Sequence, residues 1–254
     1  AAKISVMAYR FTKRRALDTA VDRWIDDKLD AKSTYGHIKT WDVSRIKNFS
    51  SLFEDRHTFN SNISKWDVSS GTNFEKMFHI NDFDSHRVQS LFNQDLSEWD
   101  VSSGTDFGSM FRGANSFNQD IGDWDVSSGT DFEFMFYDTS FNQDIGDWDV
   151  SSGTRFSFMF YDADKFNQDI GDWDVSSGTD FEFMFYNTSF NQDIGNWDVS
   201  SGTTFQAMFM NAMTFNQDLS VWNISSEAYY NVMFGGATEM LANQGVDATP
   251  DGSY

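Results

Sequence analysis

The stretch Trp124-Asp125-Val126-Ser127-Ser128-Gly129-Thr130-Asp131-Phe132, followed by Met135-Phe136 and then by Phe141-Asn142-Gln143-Asp144-Ile145, decides how this chain folds, because it recurs along most of the sequence. The tryptophans that open successive copies stand at 41, 66, 99, 124, 148, 173, 197 and 222, at steps of 25, 33, 25, 24, 25, 24 and 25 residues. A fixed period of this length marks a repeat architecture: one unit is too small to bury its own apolar face, and stacking of neighbours supplies the core. The one-residue variation lies between Met-Phe and the next Phe, where Tyr137-Asp138-Thr139-Ser140 alternates with Arg112-Gly113-Ala114-Asn115-Ser116. A segment that tolerates an extra residue belongs on an outer bend. The step of 33 comes from an insertion at about 79–90, expected to bulge from the same bend.

Within a unit the apolar period changes. Trp124 and Val126 alternate with Asp125 and Ser127, the mark of a short strand, whereas Phe132, Met135 and Phe136 follow the i, i+3, i+4 spacing of a helical turn. Phe141 and Ile145 then return the chain to the core. The expected fold is a right-handed repeat solenoid with one short strand and one helical turn in each coil. Eight such repeats occupy 41–235. Residues 1–40 are expected to cap the first repeat with a helix at about 13–32, on which Ala16, Leu17, Ala20, Val21, Trp24, Ile25 and Leu29 form an apolar stripe. Residues 236–254 read as a closing cap or a tail.

The succession Trp-Asp-Val-Ser, Met-Phe and Phe-Asn-Gln-Asp-Ile resembles the tandem repeat of mycoplasma surface lipoproteins and many phytoplankton proteins, a repeat grouped with the BspA-like leucine-rich-repeat solenoids. The resemblance extends to Ala20-Val21, to Trp24-Ile25 and to Tyr35-Gly36-His37-Ile38 before Trp41, and so covers nearly the whole chain. It implies a leucine-rich-repeat-like solenoid, extracellular or at a cell surface, and brings no catalytic residues. The chain departs from the commoner version at Ser127 to Phe132, where the family often has a Val-Thr-Asp-Met-like run.

Composition narrows the function. Against 39 Asp and Glu stand 18 Lys and Arg, a formal charge of −21 that repels phosphate backbones, so no nucleic-acid partner is expected. No apolar run approaches the roughly 20 residues of a membrane span. Cysteine is absent, which excludes disulfides and thiolate metal sites. No phosphate loop, HExxH pair or nucleophile with its base rises above the repeat, and the expectation is a protein that is not an enzyme.

Stacking turns each repeated residue into a column. Asp95, Asp120, Asp144, Asp169, Asp193 and Asp218 follow Phe-Asn-Gln, and Asp123, Asp147 and Asp172 precede the next Trp. Two readings fit them. Asp caps turns by accepting from backbone N–H groups two or three residues on. Alternatively, stacked carboxylates supply the six to eight oxygens that calcium takes, with Gly122 easing the bend between Asp120 and Asp123. The Asn column (Asn93, Asn118, Asn142, Asn167, Asn191, Asn216) is expected to point inward and bond backbone, and the Thr column from Thr72 to Thr203 to serve the strand. Tyr137, Tyr161 and Tyr186 on the variable bend form the candidate partner-contacting stripe. His79, Asn81, Asp82, Asp84 and His86 in the insertion suggest either a metal cluster or a solvated loop. The resulting expectation is a secreted or cell-surface adhesion module with an acidic face, binding calcium and through it a glycan or a protein. The alternative is a structural spacer without a ligand; ice binding and catalysis rank below both.

Overall fold

The computed structural model describes residues 8–81 and 89–243. Successive repeats lie against one another in register. Parallel bridges join Asn48 to Asn73, Asn73 to Asp106, and so on through Asp131, Arg155, Asp180 and Thr204 to Tyr229, one residue from each of the eight repeats. We number the repeats 1 to 8 from the tryptophans at 41, 66, 99, 124, 148, 173, 197 and 222.

What builds each repeat differs from the expectation. Among the described residues the repeats contain neither a strand nor a helix, only isolated bridges and turns, so the leucine-rich-repeat-like solenoid with a strand and a helical turn in every coil does not hold. The backbone hydrogen bonds give the reason. In repeat 4 the N–H groups of Phe132, Phe134, Phe136 and Asp138 donate to Arg155, Ser157, Met159 and Tyr161 of repeat 5, at 2.8–3.0 Å. The intervening N–H groups of Met135 and Tyr137 fold back to the carbonyls three residues earlier, each at 3.2 Å. Alternate amides thus leave for the neighbour and close a turn at home. A strand would send no amide back to its own chain, and a helix would send none out. Phe134 and Asp138, at φ of 58° and 51°, lie in the left-handed region and interrupt any helical run. The i, i+3, i+4 spacing of Phe132, Met135 and Phe136 still buries all three, through consecutive turns instead of a helix.

The core is a set of aromatic columns. Trp124, Trp148, Trp173 and Trp197 stack at 6.4–6.5 Å with planes within 2° of parallel. Each indole also donates to a carbonyl just ahead of the preceding tryptophan, as Trp148 does to Ile121 at 3.0 Å, so the polar end of a buried ring is satisfied. Phe132, Phe156 and Phe181 form a second column at 5.6–5.7 Å. These phenylalanines fix the glycine of Ser-Ser-Gly-Thr. A Cβ on Gly153 would lie 2.4 Å from the Phe156 ring and 2.9 Å from the Val150 carbonyl, and that ring is held between two others.

The first repeat is closed by α1 (Arg14–Asp26) and α2 (Lys28–Tyr35), where a single helix over about 13–32 was expected. The break is at Asp27, whose extended backbone ends α1 and whose side chain accepts from the N–H groups of Leu29 and Asp30 to start α2. Leu17, Ala20, Val21 and Trp24 are buried, but Leu29, past the break, is 79% exposed and leaves the apolar stripe. Arg14 donates to the Asn48 carbonyl at 3.2 Å, and Trp24 to Ser61 at 2.9 Å, tying α1 onto repeat 1. At the other end a short α3 (Thr238–Asn243) follows repeat 8. The expected closing segment beyond it, and the 82–88 part of the insertion, lie outside the described residues. No helix among the described residues is long and apolar enough to cross a membrane.

Two substitutions should move stability in opposite directions. Gly153→Ala forces a methyl into a closed contact and is expected to destabilise by about 1–3 kcal/mol in urea unfolding. Lys76→Gly relieves a left-handed non-glycine residue (φ 56°) on the half-buried surface. It should stabilise by about 0.5–1 kcal/mol, because the gain in φ freedom is partly offset by unfolded-state entropy. A neutral Gly153→Ala would show that the repeats are less tightly stacked than described.

Candidate functional site

The aspartates that follow Phe-Asn-Gln serve turns. Asp95, Asp120, Asp144, Asp169, Asp193 and Asp218 are all exposed, and each accepts through Oδ1 from the N–H two residues on, at 2.9–3.0 Å. Asp123, Asp147 and Asp172 are exposed as well. Gly122 is required by a close approach, since a Cβ there would meet the Asp144 carbonyl of the next repeat at 2.7 Å. Among the described residues no group of three or more acidic or histidine side chains is placed to hold a metal ion. Within the insertion, His79 is buried with Nδ1 3.2 Å from Glu54 Oε1. Burial, helped by the Arg112 charge, holds this imidazole below its ordinary pKa. Asn81 donates to Asp55, and Asp82, Asp84 and His86 lie outside the described residues.

The neutral columns are structural too, with one difference in direction. The Asn side chains do not point inward: exposed or half-buried, those from Asn93 to Asn191 use Oδ1 to accept from the next repeat, as Asn142 does from the Asn167 N–H at 3.0 Å and the Gln168 amide at 2.9 Å. From Thr105 to Thr203 each hydroxyl donates to the preceding Thr carbonyl, as Thr130 does to Thr105 at 3.1 Å, and Thr72 donates to the Lys47 carbonyl. That hydrogen is already committed to the ladder and is not free to organise ice or a sugar.

Tyr137, Tyr161 and Tyr186 stand half-buried on the bend as a stack, at 4.6 and 4.3 Å with planes within 10° of parallel. Beside them runs a column that the sequence reading missed: Phe134, Phe158 and Phe183, at 4.5 and 4.9 Å. The position holds Lys76, Ser109 and Ala207 in other repeats, so it reads as variable surface. The Arg112 guanidinium covers the open end of both columns, 4.9 Å from the Phe134 ring and 4.6 Å from Tyr137. Ring faces from Arg112 up to Phe183 and Tyr186 are therefore consumed within the double ladder, and the Tyr186 hydroxyl accepts from Asn211 at 3.3 Å. Burial pushes the Tyr137 and Tyr161 hydroxyls above the ordinary tyrosine range.

Next to this ladder lies a notch of 310 Å³. Glu75, Asp106, Asp131 and Glu133 line it, together with Arg155 and the edge of Phe134, over a buried Gly108-Ser109. It exists because repeat 3 carries Gly108-Ser109 where repeat 4 has Glu133-Phe134 and repeat 6 has Glu182-Phe183. Asp106 accepts from the Gly108 N–H and from Asn73 Nδ2, each at 3.0 Å. Asp131 accepts from the Glu133 N–H at 3.0 Å and from Arg155 at 2.7 Å, and Arg155 pairs with Glu133 as well. Burial raises the pKa of both aspartates; the neighbouring Asp131 and Glu75 charges add to this at Asp106, while Arg155 opposes it at Asp131. These residues occupy the bridge position of the repeat, which varies from Asn73 to Arg155 and Thr204 and so stood out less than the uniform columns.

The two kinds of aspartate pull stability in opposite directions with pH. Asp106 and Asp131 bind protons more tightly in the folded chain than at the ordinary 3.8, so the stability they confer is complete below the unfolded pKa and is lost as pH rises through the folded one. Asp42, Asp95, Asp149, Asp198 and Asp218 are lowered first by the hydroxyl of the serine two residues on, with its N–H adding and, at Asp42, Arg10 ahead of that N–H, so their contribution is lost as pH falls through the folded value. The melting temperature is expected to rise as pH falls from neutrality toward the folded values of Asp106 and Asp131, and to drop once pH falls below the ordinary carboxylate value of 3.8. Asp106→Asn should remove part of the rise and leave the acid drop intact. A wild-type melt that falls steadily over the upper range would contradict this assignment.

No curated protein and no solved structure matches the chain. A family model does, described as "Mycoplasma protein of unknown function, DUF285", over residues 27–138, 80–156 and 138–248. The three matches overlap or abut along the stacked repeats, as expected of a tandem array. Because together they run from residue 27 to residue 248, the chain belongs to this family of repeat-containing proteins.

Proposed function

We propose that the chain is a non-enzymatic binding module, secreted or displayed at a cell surface, that engages a protein partner through the turn face of repeats 3–6. The observation that carries this reading is the double aromatic ladder with the acidic notch beside it, half-buried on a backbone whose alternate amides are locked to the next repeat. Aromatic edges and tyrosine hydroxyls on a pre-organised support suit a protein interface, where such groups add contact area at little conformational cost. A glycan is less well served: sugar C–H faces pack on open ring faces, and here, up to the outer faces of Phe183 and Tyr186, those faces are stacked on one another or covered by Arg112. The charge of −21 favours a basic partner and steers it electrostatically. Calcium is not needed for this mode of binding.

Probing a mixed array of glycans and extracellular protein domains with the labelled full chain tests the reading. Saturable binding to protein spots is expected, weakened about tenfold by the Phe158→Ser/Tyr161→Ser double substitution, as for loss of central aromatic contacts. Signal on glycans alone would overturn the proposal, and a blank array would favour a spacer without ligand.

A further inference from the structure

The notch differs from the rest of the acidic surface in being a built space. It is walled by side chains from repeats 2 to 5 and open because one repeat lacks the Glu-Phe pair found at the same place in repeats 4 and 6. Four carboxylates line it, and the cations bonded to them among the described residues are Arg155 and Lys76. A second observation is independent of that charge. Ser109 is 7% exposed and lines the notch, and no group among the described residues hydrogen-bonds its hydroxyl. The residue is more than nine-tenths buried, and its hydroxyl, unlike the fully enclosed one of Ser157, keeps an opening to the notch, where its lone pairs are available to a donor. The volume of 310 Å³ is at the lower edge of ligand pockets, enough for one side-chain terminus.

Resting on the reading that this face binds a protein, we propose that the notch receives the side-chain ammonium of a lysine on that partner. The hydrogen-bond geometry selects an ammonium over a guanidinium. Asp106 and Asp131 each have both oxygens engaged, by the Gly108 N–H and Asn73 in one case and by the Glu133 N–H and Arg155 in the other. What remains is single lone pairs pointing in different directions, with the Ser109 oxygen. A planar guanidinium needs a carboxylate with both oxygens free for a paired contact, whereas an ammonium is a point charge with three rotatable donors. Phe134 contributes a wall, not a cation–π face, since Phe158 and Arg112 occupy its two faces.

The full chain, labelled with nitrogen-15, is titrated with acetyl-Gly-Lys-Gly-amide and with its glutamine and arginine counterparts while backbone amide signals are followed. Saturable shifts confined to residues 73–76, 106–109, 131–134 and 155 are expected with the lysine peptide, in the millimolar range. The arginine peptide should bind about threefold more weakly, and the glutamine peptide should not saturate. Ser109→Phe gives repeat 3 the side chain that repeat 4 carries at Phe134 and fills the notch. It should weaken lysine binding by about tenfold or more, with amide signals elsewhere unmoved. Asp106→Asn, which keeps an oxygen for the Gly108 N–H, should weaken it about threefold. Saturation by the glutamine peptide, parity of arginine with lysine, or wild-type binding by Ser109→Phe overturns the proposal. Phe158→Ser/Tyr161→Ser separates the two readings: if the lysine titration fails while ladder-dependent binding to protein spots persists, the notch assignment alone falls.

Discussion

Everything in this molecule depends on the way alternate amides of the turn run are shared. From Phe132 to Asp138, one N–H reaches the next repeat and the following one closes a turn on its own chain. Buried backbone groups must be paired, and a repeat of about 25 residues cannot pair them all internally without a helix or a hairpin. Donating every second amide to the neighbour satisfies the remainder, but only if the neighbour lies in register. The same pairing brings equivalent rings together at 4.3–6.5 Å, so backbone satisfaction and aromatic stacking enforce one arrangement. This explains how non-glycine residues such as Phe134, Phe158 and Phe183 persist at φ of 53–58°. Their strain, of order 1 kcal/mol each, is outweighed by bonds and stacking that no other conformation offers.

The register of the stack and the identity of its core were legible in the spacing of the tryptophans, because a buried column demands the same large side chain in every repeat. The local backbone was not. Phe132, Met135 and Phe136 have the spacing of a helical face, and Trp124 and Val126 that of a strand, yet the residues between them adopt turns that carry neither period. Spacing reports which side chains point inward; it does not report where the amides go. The usual sequence sign of a left-handed position, glycine or asparagine, is missing at Phe134, so the turn geometry had no signal to be read from. The break between α1 and α2 had one, since Asp27 is a strong N-cap residue, but the apolar stripe running through it was the louder pattern.

The same contrast separates columns that hold the fold from residues that can meet a partner. Uniform columns drew attention first as candidates for function, and the structure gives them work inside the chain: Asp120 and its equivalents close Asx turns, Asn142 bonds the next repeat, and Thr130 donates to the previous one. In a stacked array, uniformity is what repeated structural demands produce. Positions that vary are released from those demands. Phe134, Phe158 and Phe183 replace small or charged residues in only three repeats, and Arg155 interrupts a run of aspartates.

The variable positions also carry the specificity of an extended and nearly symmetric object. A perfect array presents the same surface in each repeat, so a partner could dock in several registers of similar energy. Repeat 3 breaks that degeneracy by deletion, with Gly108-Ser109 opening a space that the Glu-Phe pairs of repeats 4 and 6 fill. Arg112, in the same repeat, ends the aromatic ladder by covering its last rings. A notch and a ladder terminus a few residues apart define one register along the stack. Discrimination between registers then comes from what the other repeats occlude as much as from what this one offers, which is how an interface gains specificity beyond its attractive contacts.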